Sequence, residues 1–346
     1  MIPASRDALV ATAGESIARG SKSFAMASRL FDRATRERAW LLYAWCRKCD
    51  DLADGQDFGG AMHPFVPSPS TPPAAALGTG SVEGRGGGDK VPRLRSGRTV
   101  EDETTGPFAE IRSKTEAALA GEMLGDPAFD ALGLVVRECG IPHELPRDLV
   151  AGFAMDAAEW RPRSEADLMT YCYHVAGAVG VMMAIVMGVD PADEETLDRA
   201  CDLGLAFQLA NIARDVAEDD LGGRCYLPLD WLAEMDIPPG ETMKPLYRPR
   251  LAVLGARLAD RASAYEASAR VGAARLPWRA RWAVLAAAGI YGDIAREVKA
   301  RGEHAWDRRV HTGTVAKLGW VAKALGQALG KPGAAVGREG LWTRAR

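Results

Sequence analysis

Apolar residues recur at three- and four-residue spacings along nearly the whole of this 346-residue chain, and almost nowhere do they alternate. That period is helical, because it gathers apolar side chains on one face of a 3.6-residue turn. With Pro and Gly as the breaks, it predicts helices over 5–19, 34–54, 108–121, 127–139, 146–159, 165–187, 193–219, 249–272, 277–301 and 312–330. At 47% hydrophobic residues the chain can bury a large core. The expected architecture is therefore all-α, one helical domain over 1–330 followed by a flexible tail, 331–346.

One stretch breaks the pattern. From Gly55 to Pro107, 18 of 53 residues are Gly or Pro and no period survives. This composition predicts a disordered insertion within the domain. Gly78-x-Gly80 and Gly84-x-Gly86 do not complete a dinucleotide fingerprint, and no strand precedes them. Loop closure costs grow slowly with length, so the insertion reads as tolerated, with a cover over a site as the alternative.

Charge and cysteine usage narrow the function. A net charge of −3 with no sustained basic stripe argues against a nucleic-acid partner. The six cysteines are scattered through helical sequence, which suits a reducing, cytoplasmic setting. Cys46-x-x-Cys49 has no second pair to complete a zinc site. The long uncharged run Val175–Val189 would rise about 22 Å as a helix, short of the roughly 30 Å of a hydrocarbon core. It reads as a helix buried at the centre of a bundle.

Two helices end in carboxylates. In the first, Asp50 and Asp54 lie four apart, so they share a face with Cβ atoms about 5–6 Å apart. Such a pair repels, and a divalent cation relieves it better than the nearby Arg47 can. The alternative is a solvated acidic helix end. The second helix carries Gln208, Asn211, Asp215 and Asp219 as one polar stripe, while Phe207, Leu209, Ile212 and Val216 fill the other faces. A polar stripe on a buried helix must find partners or a metal. Ligands that are all oxygen select Mg²⁺ rather than zinc, with phosphate oxygens completing the shell. If the two stripes face each other, they form a site where metal ions make a diphosphate a good leaving group. The allylic cation so produced needs a dry apolar cavity with aromatic faces, for which Phe24, Tyr43, Tyr171 and Tyr291 are candidates.

At these residues the chain resembles the squalene/phytoene synthase family, and within it the bacterial phytoene-forming branch. The marks are Ser21-Lys22-Ser23-Phe24; Tyr43 through Asp54; Gly152-Phe-Ala-Met-Asp156; Tyr171-Cys-Tyr-His-Val-Ala-Gly177; Gln208 through Asp219 with Gly222-Gly-Arg-Cys-Tyr-Leu-Pro228; and Tyr291 with Arg308-Arg-Val. The resemblance implies an isoprenoid-synthase fold, a helical bundle around a central apolar cavity with Mg²⁺ or Mn²⁺ at its mouth. It implies metal binding by Asp50, Asp54, Asn211, Asp215 and Asp219. It implies diphosphate binding by Ser21, Lys22, Ser23, Arg47, Gln208, Arg214 and Arg308, and substrate contact by Tyr43 and Tyr291. Tyr171, Val175, Ala176, Val179 and Gly180 correspond to positions lining the pocket.

The implied reaction joins two molecules of geranylgeranyl diphosphate head to head through the cyclopropyl intermediate prephytoene diphosphate, with no NADPH. Released diphosphate and a pocket tyrosine are both open as the proton acceptor. A long apolar product implies transient docking at a membrane surface. The alternatives are a squalene or dehydrosqualene synthase using farnesyl diphosphate, and a non-catalytic scaffold of the same fold. The scaffold is disfavoured because the whole oxygen set is present on both helices.

Overall fold

The computed structural model describes residues 5–20, 27–53, 107–158, 160–330 and 336–345, and among them there is no strand. In chain order the helices are α1 (Arg6–Gly20), α2 (Arg33–Ala53), α3 (Pro107–Leu119), α4 (Pro127–Cys139), α5 (Glu144–Ala157), α6 (Glu165–Cys172), α7 (Ala178–Val186), α8 (Glu194–Leu221), α9 (Leu229–Glu234), α10 (Arg248–Gly272), α11 (Trp278–Arg301) and α12 (Thr314–Leu329). The expected insertion lies outside the described residues except for Pro107, which starts α3. Ser21, Lys22, Ser23, Phe24 and Asp54 also lie outside them.

Side-chain caps set several helix starts. Asp126 accepts a hydrogen bond from the Ala128 N–H at 3.1 Å, with Pro127 in the first turn of α4. Ser164 and Asp167 form a reciprocal capping box at α6. Asp193 accepts from the Thr196 N–H at the start of α8.

Helix α2 shows how the spacing builds two faces. Leu42, Trp45, Cys46 and Cys49 are buried, so the Cys-x-x-Cys pair consists of free core thiols, which burial makes harder to ionise. Tyr43, Arg47 and Asp50 occupy another stripe and remain half-buried. Helix α2 packs on α1 and α4, whereas the 28-residue α8 packs on α10, α7 and α11. Helix α7 touches both α2 and α8 and so joins the two halves.

The α7–α8 crossing depends on glycine. A Cβ at Gly180 would sit 2.5 Å from the Ala200 carbonyl oxygen, and one at Gly204 would sit 2.3 Å from that of Ala176. Any larger residue would force the two backbones apart.

Residues 165–187, expected as one helix, are interrupted by a π turn at Tyr173–Gly177, where the Ala178 N–H reaches the Tyr173 carbonyl. Taken across that turn, Glu165–Val186 is long and apolar enough to cross a membrane, but 72% of its apolar window is buried inside the bundle. That agrees with a core segment.

The C-terminal tail differs from the loose end expected. Arg338 donates to both carboxylate oxygens of Asp202 at 2.8 Å and lies 3.6 Å from Asp198. Arg344 pairs with Asp198 and Glu194. The Trp342 N–H donates to the Tyr265 hydroxyl, and its ring lies 5.5 Å from that of Tyr173. Asp198 and Asp202 are buried, so the tail supplies the positive charge that their burial requires.

Candidate active site

The polar stripe of α8 points inward as its pattern demands. Gln208, Asn211 and Asp215 are each 2% exposed, and Asp219, one turn further on, is partly buried. The Gln208 carbonyl oxygen is buried and makes no hydrogen bond among the described residues. A group that costly to leave unmet suits an incoming ligand.

Asp215 is gripped by two guanidinium groups. Arg214 donates through both Nε, at 2.6 Å, and Nη2. Arg309 Nη2 lies 2.7 Å from the same carboxylate and Nη1 reaches Glu218 at 3.4 Å. Arg309, not Arg308, therefore enters the site, while Arg308 is exposed. Sequence leaves Arg308 and its neighbour Arg309 ambiguous, and the anchoring of their loop separates the two. The Trp306 indole donates to the Ala213 carbonyl at 2.9 Å and Val310 is buried, which fixes the segment so that Arg309 faces α8.

Asp219 closes the stripe. Burial, helped by Asp215, Glu218 and Asp156, pushes its carboxyl up to about 8, and Arg224 offsets part of this. The Gly222-Gly223 turn brings that arginine back. Gly223 takes a φ of +73°, and the Arg224 N–H donates to the Asp219 carbonyl at 2.8 Å. A small crevice opens here, with Ile212, Val216 and Leu227 as its apolar wall and Asp219, Arg224 and Tyr226 among its polar groups.

Asp156 is a second node, flagged in sequence only as part of a motif. It accepts from the hydroxyls of Tyr171 and Tyr226, both at 2.9 Å. The Tyr171 ring stacks on Tyr226 at 4.9 Å and on Trp160 at 5.5 Å, and no part of it is exposed. Tyr171 thus braces the site from behind, where a cation-facing ring was expected. Tyr291 stacks on Phe207 at 4.2 Å, and the Arg214 charge acts on its hydroxyl.

On α2, Arg47 lies 2.6 Å from Asp51 and 3.4 Å from Asp50. Burial raises the Tyr43 hydroxyl, with Arg47 opposing. A Cβ on Gly20 would lie 2.6 Å from that hydroxyl, so α1 ends against Tyr43. Of the expected pocket residues besides Tyr171, Val175 and Ala176 are buried, with Val175 against Gly152 and the Ala176 carbonyl against Gly204. Val179 keeps an open face, and the Cβ side of Gly180 is closed by α8.

These residues suit a divalent metal shared with an anionic ligand. Among the described residues no three His, Cys, Asp or Glu side chains converge into a self-sufficient metal cage. Mg²⁺ needs none, since one or two carboxylates plus phosphate oxygens are its usual partners. The repelling carboxylates around Asp219 and the orphaned Gln208 oxygen are consistent with such a shared site. Asp156, Tyr226, Arg224 and Glu218 complete the surroundings of the stripe and were not singled out as site residues from sequence, where Arg309 was only the alternative to Arg308.

The sequence profile of squalene/phytoene synthase matches residues 17–315. The chain is 42% identical over 325 residues to a phytoene synthase of Pseudescherichia vulneris, covering 94% of each. It is 42% identical over 343 residues to a 15-cis-phytoene synthase of Paracoccus sp. (strain N81106 / MBIC 01143), covering 97% of this chain and 98% of that protein. A solved dehydrosqualene synthase in complex with ligand superposes with a TM-score of 0.72 at 22% identity, covering 92% of this chain and 96% of the other.

Proposed function

Since the chain belongs to the squalene/phytoene synthase family, we propose that it condenses two geranylgeranyl diphosphates head to head into phytoene, the committed step towards carotenoids. The observation that carries this reading is the buried stripe Gln208–Asn211–Asp215–Asp219 with Arg214 and Arg309 closed on Asp215. It offers acceptors for a metal and donors for a diphosphate in one place. The phytoene synthases among the relatives reach 41–42% identity over most of both chains, which supports the C20 substrate.

In the first half of the reaction the C1–O bond of one substrate breaks and its electron pair leaves with diphosphate. The allylic cation adds to the double bond of the second substrate, and loss of a proton closes the cyclopropane of prephytoene diphosphate. The second half breaks the remaining C–O bond, rearranges the carbon skeleton and loses a second proton. Two diphosphates and two protons are released, and the central double bond shows that no hydride is consumed.

Asp50, Asp54, Asn211, Asp215 and Asp219 are the residues that would hold Mg²⁺ or Mn²⁺, which when bound would supply Lewis-acid stabilisation of the departing diphosphate. Arg214, Arg309 and Arg47 already form ion pairs with carboxylates and can exchange these for phosphate oxygens, which guanidinium groups bind in pairs. Ser21, Lys22 and Ser23 follow directly on α1, whose end lies against Tyr43, and are assigned to the same diphosphate. Phe207 and Tyr291 present stacked rings beside Arg214, where a cation can be held by π faces without being trapped by a nucleophile. The six free thiols support a reducing, cytoplasmic setting.

Purified protein given labelled geranylgeranyl diphosphate and Mg²⁺ should release a C40 hydrocarbon without NADPH. A C30 product from farnesyl diphosphate with no C40 would replace this reading by the dehydrosqualene one. No hydrocarbon from either substrate would end it.

A further inference from the structure

We propose that the outer face of α12, continued by the first turn of α11, is a docking surface for an anionic lipid bilayer. Helix α12 is a surface layer carried by α11. Its inner side is fully engaged. Ala324 and Ala328 pack on Ala273, Leu285 and Ala286, and the Trp282 indole donates to the Val321 carbonyl at 2.8 Å. The Trp320 indole donates to Asp293.

A helix in that position should turn polar residues to water. This one turns out Val315, Leu318 and Leu329, which are 85%, 61% and 70% exposed, with exposed Ala322 between them. Their spacing of three, four and seven places them on one stripe. Arg281 reaches the Gly330 carbonyl at 3.5 Å and so joins the start of α11 to the end of α12. Trp278, 50% exposed, extends the apolar surface there.

Charge decides what covers it. The chain as a whole carries −3, yet residues 308–330 contain Arg308, Lys317 and Lys323 besides the paired Arg309, and no acidic residue. Residues 278–292 add Arg279 and Arg281, again with no acid. Asp293 and Glu266, beside the inner side, are taken up by Arg296 and Arg270. A second copy of the chain would set this positive face against itself with nothing to answer its lysines. Anionic headgroups answer them, and exposed aliphatic and tryptophan side chains enter the layer between headgroup and acyl chain.

The surface begins six residues after Arg309, which holds Asp215, so a docked molecule brings its acidic site to the lipid. That consequence, delivery of amphiphilic substrate and release of an oily product, rests on the proposed reaction. The surface itself does not.

Flotation of the full chain without substrate tests it, using phosphatidylcholine vesicles with and without phosphatidylglycerol. The wild type should float with the anionic vesicles only, and salt should weaken the binding. Leu318→Glu with Leu329→Glu, and separately Lys317→Glu with Lys323→Glu, should each reduce it about tenfold or more. Both double variants should keep wild-type helicity and wild-type turnover of detergent-dispersed geranylgeranyl diphosphate. Failure of the wild type to float, undiminished flotation of the variants, or a solution dimer that the variants dissociate would overturn the proposal. Flotation by a protein that makes no C40 hydrocarbon would support the surface and reject the reaction.

Discussion

Replacing Arg338 by Met tests whether the C-terminal tail is part of the fold. The variant keeps the aliphatic stem and removes the guanidinium that donates twice, at 2.8 Å, to Asp202. Asp202 has no exposed surface and would be left with the Ser268 hydroxyl as its hydrogen-bond donor among the described side chains. Breaking one side of a buried pair costs about 3–5 kcal/mol. Arg338 itself retains 16% exposure, so water can reach the vacated position, and the lower end, about 3 kcal/mol, applies. For a chain of this size each kcal/mol moves the melting point by about 2–4 °C, which gives a fall of roughly 6–12 °C. Thermal melts followed by circular dichroism read this directly. Adding Asp202→Asn to Arg338→Met removes the stranded charge and should recover part of the loss, an interaction of about 0.5–3 kcal/mol in a double-mutant cycle. A single variant melting within about 2 °C of wild type would refute the reasoning, because Asp202 would then have another means of compensation.

Three further outcomes bear on the site. Asp215→Asn should abolish turnover while leaving helicity near wild type, and Arg309→Ala should lower kcat/KM by about a hundredfold or more where Arg308→Ala changes it little, since only Arg309 reaches Asp215; steady-state kinetics compares them. The Asp219 carboxyl is raised to about 8 from 3.8, so the metal-free fold binds the extra proton between about pH 4 and 8 and should lose stability as pH rises through that window. Melting curves against pH should show this slope, Asp219→Asn should flatten it, and Mg²⁺ should displace the proton. Tyr171→Phe should cost about 1 kcal/mol and leave most of the activity, because its hydroxyl serves Asp156 alongside Tyr226; a collapse of turnover in a stably folded variant would return Tyr171 to a direct role.

Helices and the inward stripe were legible in the sequence because both follow from period alone. Leu42, Trp45 and Cys49 recur at turns of α2, and Gln208 to Asp219 recur at turns of α8. What escaped depends on contacts distant along the chain. The role of Tyr171 is set by Asp156, 15 residues earlier, and by Tyr226, which meets the same carboxylate from 70 residues beyond it. Neither spacing has a helical signature. Arg308 and Arg309 are equivalent as neighbours in a sequence, and the tryptophan that chooses between them is bound to α8, 93 residues away. The tail likewise looks featureless until Asp198 and Asp202 are seen to lie buried beneath it.

The π turn at Tyr173–Gly177 makes chain length in that stretch equivalent to angle. Winding the same residues as plain α-helix, with none removed, would swing everything downstream by about 100°. Gly180 would leave the Ala200 carbonyl, and a bulkier residue would be driven into α8 in its place. Whether residues 173–177 wind as a π or an α turn therefore decides which face of α7 meets α8, without altering its composition. The turn is thus a rotational control on α7, separate from side-chain size.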